Sequence, residues 1–136
     1  MNGRLPLAVV ALLLAVDAIA GDLERGIRAY RNGDYALALE YWEPLARAGN
    51  VDAQIYLGWL YGRGLGVEKN FATSARWYRL AAEQGNPNAQ YELGLLYELG
   101  QGVTGDYSEA ERWYGLAIDQ GFCPGELSAS GRLDQE

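Results

Sequence analysis

Residues 50–85 and 86–121 are two ungapped copies of one sequence, offset by 36 residues and identical at 17 of 36 aligned positions. Asn50 returns as Asn86, Ala53–Gln54 as Ala89–Gln90 and Leu57–Gly58 as Leu93–Gly94. Leu60–Tyr61 returns as Leu96–Tyr97, Gly64 as Gly100 and Gly66–Val67 as Gly102–Val103. Arg76–Trp77–Tyr78, Leu80–Ala81 and Gln84–Gly85 return as Arg112–Trp113–Tyr114, Leu116–Ala117 and Gln120–Gly121. A fixed period in this range restricts the chain to a stacked repeat. One unit cannot bury its apolar face alone, so neighbouring units bury it together.

Each copy reads as two helices, which makes the fold class all-α. In 86–121, Asn86 is an N-cap and Pro87 sits at the first helical position, where its missing N–H costs nothing. The first helix is expected over about Pro87–Leu99, with Ala89, Leu93, Leu96 and Tyr97 at helical spacing. A glycine-rich turn, residues 100–105, follows. Asp106 caps the second helix and forms a capping-box-like pair with Glu109, and Gly121 ends it. Copy 50–85 matches, with caps at Asn50 and Asn70, a turn at Gly62–Gly66 and an end at Gly85. Glycine inside a helix costs about 1 kcal/mol against alanine. Its return at Gly58 and Gly94 therefore implies a contact that excludes any larger side chain.

A shorter unit, 21–49, precedes these. Tyr41–Trp42 aligns with Trp77–Tyr78 at the same offset, but the glycine-rich turn is missing. Asn32-Gly33-Asp34 makes the turn instead, with Asp34 as cap. Helices are expected at about Asp22–Arg31 and Tyr35–Ala48, the second kinked at Pro44. After Gly121 the pattern decays, and residues 122–136 read as a short capping helix, around Pro124–Leu133, with a tail.

Residues 1–20 read as a secretory signal peptide. Arg4 gives a positive start, 5–16 is an apolar run, and Ala18-Ile19-Ala20 supplies the small-residue site, with cleavage after Ala20. The run is too short to span a bilayer, which takes about 20 residues. No Cys follows the site, which argues against a lipid-modified N-terminus. The expected location is the periplasm or the exterior, with no membrane span after cleavage. The net charge of −7 repels the phosphate backbone, so nucleic acid is a poor partner, and anionic membrane surfaces are disfavoured for the same reason.

The sequence has no histidine and one cysteine. The commonest general base and metal ligand are thus missing, and a single cysteine builds no zinc site. No calcium-loop spacing of acids appears. No cofactor or metal is expected. The acids fall at helix starts or on outer faces, where capping and solvation account for them. Gly62-Arg63-Gly64-Leu65-Gly66 lies between helices, not after a strand, so a phosphate-loop reading loses to a turn. Cys123 has two readings: a small buried side chain near the array's end, or a disulfide to another molecule.

The Ala-Gln-x-x-Leu-Gly-x-Leu-Tyr, Gly-x-Gly-Val, Trp-Tyr-x-Leu-Ala and Gln-Gly blocks resemble the Sel-one-like repeat, a branch of the tetratricopeptide superfamily. The resemblance covers 50–121 closely, while 22–49 is more like an ordinary tetratricopeptide unit. It implies a right-handed α-solenoid of about three helix-turn-helix repeats whose first helices line a concave face. It also implies a non-enzymatic adaptor or scaffold. A cysteine-rich branch described as acting on β-lactams has a disulfide in each repeat. This chain lacks those cysteines, so that activity is not carried over.

Most aromatics, including Tyr61, Trp77, Tyr78, Tyr97, Trp113 and Tyr114, occupy repeat positions and read as packing. Trp59 departs from its counterpart Leu95. The superfamily's register puts it on the concave side, with Ile55 and Tyr91 beside it. Together with Leu95 they would form an apolar strip rimmed by Asp52 and Glu98. Two readings stay open, a binding groove or a face that the short array closes over. The expected function is protein or peptide binding in the cell envelope, by a monomer or weak dimer. The alternatives are a secreted host-interaction factor and a hydrolase of cell-wall or β-lactam substrates.

Overall fold

The computed structural model describes residues 3–123. It consists of six helices: α1 (Leu7–Arg31), α2 (Tyr35–Arg47), α3 (Val51–Arg63), α4 (Phe71–Glu83), α5 (Pro87–Leu99) and α6 (Tyr107–Asp119). No strand occurs among the described residues. Each helix packs on the next along the chain, so three antiparallel pairs stack into an all-α repeat array.

The capping residues set the boundaries. Asp34, Asn50, Asn70 and Asn86 each accept a backbone N–H three residues on. Each such cap satisfies an orphan donor and contributes about 1 kcal/mol. Asp106 accepts from Ser108 and Glu109. The capping box expected there is half made, because the Glu109 carboxylate turns to Arg112, 3.0 Å away. Gly64 and Gly100 close α3 and α5 in the left-handed conformation that glycine adopts without steric cost. Two residues on, Gly102 (φ +72°) presses against the start of α4. A Cβ there would lie 2.1 Å from the Phe71 carbonyl oxygen.

The second expected helix forms as α2, with Pro44 inside it, but two expectations need correction. The first helix begins at Leu7, not near Asp22. Its Ala- and Leu-rich start has high helix propensity and meets no proline after Pro6. Residues 3–20 are nevertheless all exposed, and burial begins at Gly21–Leu23. Secondly, Cys123 is exposed, which removes the buried reading. It lies past Gly121, and the neighbouring Phe122 takes the packing contact, 5.1 Å from the Tyr91 ring. The capping helix expected around Pro124–Leu133 lies outside the described residues. No described helix is long and apolar enough to cross a membrane.

The core has two centres. Trp42, Tyr56, Leu57 and Leu60 anchor the first, and Tyr78, Leu93, Leu96 and Trp113 the second. A polar ladder ties the pairs together. Buried Gln54 donates to the Ala46 carbonyl (3.1 Å) and accepts from Gln84 (2.9 Å). Gln90 donates likewise to Ala82 (3.2 Å) and accepts from Gln120 (2.8 Å). The recurring Gln pairs of the sequence are this ladder.

Candidate functional site

The recurring helix glycines create the close approaches expected of them. A Cβ on Gly58 would meet the Tyr78 ring at 2.9 Å, and one on Gly94 the Tyr114 ring at 2.7 Å. Gly26 does the same for Trp42, at 2.1 Å, although it falls out of the 36-residue register. α1 and α3 end 32 residues apart, at Arg31 and Arg63, because the first unit lacks four turn residues. Restoring them aligns Gly26 with Gly58.

The same alignment explains why one interval between units is filled and the next is open. Between α1 and α3, the Trp42 ring lies 4.6 Å from Tyr56 and 6.2 Å from Tyr30, and Trp59 donates its indole N–H to the Tyr30 hydroxyl. One repeat further on, Trp42 becomes Tyr78, Tyr56 becomes Glu92, Trp59 becomes Leu95 and Tyr30 becomes Gly62. Three bulky rings are thus replaced by Glu, Leu and Gly. What results is a cleft of about 230 Å³ between α3 and α5, floored by Ser74 and Tyr78 of α4.

Trp59 and Leu95, both half-buried, face each other as its apolar walls. The Arg63 guanidinium lies over the Trp59 ring, 3.8 Å from its centroid, a geometry that favours a cation against the aromatic face. Glu92 sits deeper. Burial raises its pKa above the usual carboxylate value, and the positive charge of Arg63 offsets part of that rise. It makes no hydrogen bond or ion pair among the described residues. Tyr78 is pushed up well above the usual tyrosine value by burial and then by the Glu92 charge. On the floor, the Ser74 hydroxyl donates to the Gly58 carbonyl at 2.6 Å and is committed to structure.

Of the six residues in the expected strip, the structure brings Trp59 and Leu95 together. Ile55 is buried in the second core centre. Tyr91 turns toward Tyr114 and Phe122, 5.2 and 5.1 Å away. Glu98 is exposed and accepts the Tyr114 hydroxyl at 2.6 Å. Asp52 lies in the first turn of α3, where a negative charge complements the helix dipole. Arg63 and Glu92 were not anticipated. Their signal is the one that singled out Trp59: both depart from their repeat counterparts, Leu99 and Tyr56. No group of acids, histidines or cysteines suited to a metal ion occurs among the described residues.

Comparison with known proteins agrees with the architecture. The family model "Sel1 repeat" matches residues 21–50, 51–86 and 87–122. The structure is similar to that of c5321, a protective antigen present in uropathogenic Escherichia coli strains displaying an SLR fold. There the TM-score is 0.71 and the identity 38%, over 76% of this chain and 23% of that one. It is also similar to a Sel1 repeat protein from Oxalobacter formigenes, with TM-score 0.70 and 40% identity, over 74% of this chain and 41% of that one. This chain therefore spans less than half the length of either. No curated protein matches. With three consecutive repeats matched over most of its length, the chain belongs to the Sel1 repeat family.

Proposed function

We propose that the protein binds an extended segment of a partner protein in the α3–α5 cleft, and that it does so in the cell envelope. Proteins of this family generally act as protein-interaction scaffolds. The observation that carries the finer reading is the replacement of Tyr30, Tyr56 and Trp59 by Gly62, Glu92 and Leu95, which opens between α3 and α5 the space that rings occupy between α1 and α3. Glu92, a half-buried carboxylate without a hydrogen-bonded partner among the described residues, suits a Lys or Arg side chain of the bound segment. Trp59 and Leu95 suit an apolar residue beside it, and a semi-exposed tryptophan is a frequent binding anchor.

The envelope location rests on the leader-like residues 1–20, whose described part is exposed. Secretion would be tested by the mass of the exported protein, which should begin at Gly21. Binding would be tested on an array of short peptides pairing Lys or Arg with a large apolar residue, with Glu92→Gln protein as comparison. Selective retention of basic-apolar peptides by the wild type supports the reading. Retention independent of peptide charge, or equal retention by Glu92→Gln, contradicts it. A host-facing role draws support from one observation, the 38% identity to a protective antigen of uropathogenic strains.

A further inference from the structure

A second cleft, about 330 Å³, lies between α2 and α4 and is bordered by Tyr61 of α3. Arg47, Thr73, Arg76, Trp77 and Leu80 contribute to its walls. The array contains its own comparison for this site, the equivalent positions one repeat further on. There Arg112 pairs with Glu109 at 3.0 Å, and Arg79 donates to the Tyr97 hydroxyl. Both cations are thus satisfied from within. In the α2–α4 cleft, Thr73 stands where Glu109 stands, so Arg76 has no ion pair among the described residues. Glu43 stands where Arg79 stands, so the Tyr61 hydroxyl lacks that donor. Glu43 pairs instead with Arg47 at 2.5 Å, which neutralises its charge and leaves the cleft with one net positive charge.

From this the geometry points to a binding site for a single carboxylate, the Asp or Glu side chain of a peptide, held by the Arg76 guanidinium. The Thr73 and Tyr61 hydroxyls are available as further donors. A planar guanidinium matches a carboxylate with two parallel bonds. Trp77, half-buried, and Leu80, 45% exposed, give an apolar wall for the residue next to the acid. A polyanion is disfavoured by the net charge of −7. The site is separate from the α3–α5 cleft and does not depend on it.

The test is titration of ¹⁵N-labelled protein, followed at the indole N–H signals of its tryptophans. The Trp77 signal is assigned through Trp77→Phe. The probes are acetyl-Glu-Leu-amide, its Gln counterpart and free glutarate. The Glu peptide should shift Trp77 saturably and leave Trp59 unmoved, with binding about tenfold or more weaker for the Gln peptide and for Arg76→Gln. Thr73→Glu should also abolish binding, because it gives Arg76 the internal partner that Glu109 gives Arg112. Glu suits that N3 position, so the helix should be kept. Arg112→Gln should bind as the wild type does. Absence of a Trp77 shift, or binding that survives Arg76→Gln and Thr73→Glu, overturns the site. An equal response to glutarate overturns its assignment to peptides.

Discussion

Trp59 donates its indole N–H to the hydroxyl of Tyr30 across 3.2 Å, linking α3 to α1. The bond closes the interval between the first two units. Leu95, at the equivalent position of α5, has no such donor, and Gly62 offers no hydroxyl to receive one. Together with the exchange of Tyr56 for Glu92, these two replacements separate a sealed interval from an open one, within a single chain and on a common backbone plan.

The close approach of glycine to aromatic rings should set the tolerance of each first helix. Gly26→Ala would force a Cβ into the fully buried Trp42 ring at 2.1 Å. That ring is fixed by its own bond to the Leu23 carbonyl. We expect a loss of about 1–3 kcal/mol, as for other overpacked cores. Gly115→Ala, also inside a helix but with nothing within 4 Å of the added Cβ, should instead stabilise by about 1 kcal/mol. Urea denaturation of the two variants checks both signs.

Two buried tryptophans should respond differently to loss of the indole nitrogen. Trp42 Nε1 donates to Leu23, whereas Trp113 Nε1 is buried without a partner among the described residues. Trp42→Phe removes a made bond, and Trp113→Phe removes an unsatisfied donor. The first should cost about 1–3 kcal/mol more than the second, measured by thermal unfolding.

The glutamine ladder should behave as a unit. Gln54→Ala removes one bond to the Ala46 carbonyl and one to the Gln84 amide, which keep the Gly49 N–H and the Gly49 carbonyl as partners, at a cost of about 1 kcal/mol for each bond lost. Adding Gln84→Ala should cost less than it does in the wild-type background, because the shared bond is already lost. A double-mutant cycle with additive losses would show that the ladder is not coupled.

Stability should depend on pH through Glu92. Burial favours its neutral acid, so the folded protein holds this proton more tightly than the unfolded chain. The resulting stabilisation is complete below the ordinary value of 4.5 and is lost as pH rises through the raised value. Glu92→Gln, always neutral, should therefore gain in melting temperature over the wild type as pH rises, with the smallest difference in acid. A basic peptide needs the ionised carboxylate, so its affinity should fall as pH drops through the same range.

Sequence periodicity carried the helix pairs, their caps and the glycine contacts, because each recurs at a fixed offset. Gly26 escaped it only through the four missing turn residues, a shift that the caps reveal once the helix ends are known. The cleft was half legible. Trp59 and Leu95 stood out as a mismatch between copies, but Ile55 and Tyr91 share a register that turns toward the core and α6. That turn depends on how neighbouring units pack, which spacing alone does not encode. Glu92 was hidden for another reason. A glutamate on a helix reads as solvated until the ring floor of Tyr78 is seen beneath it.

The central claim is that the α3–α5 cleft binds because it lacks the bulk that seals the preceding interval. Leu95→Trp restores that bulk, with the residue Trp59 already supplies one repeat earlier. The most direct measurement is the affinity of a retained basic-apolar peptide for wild-type and Leu95→Trp protein, by calorimetry, alongside their melting temperatures. The account predicts that binding falls by about tenfold or more while melting changes little. Undiminished affinity in a variant that melts like the wild type would contradict it.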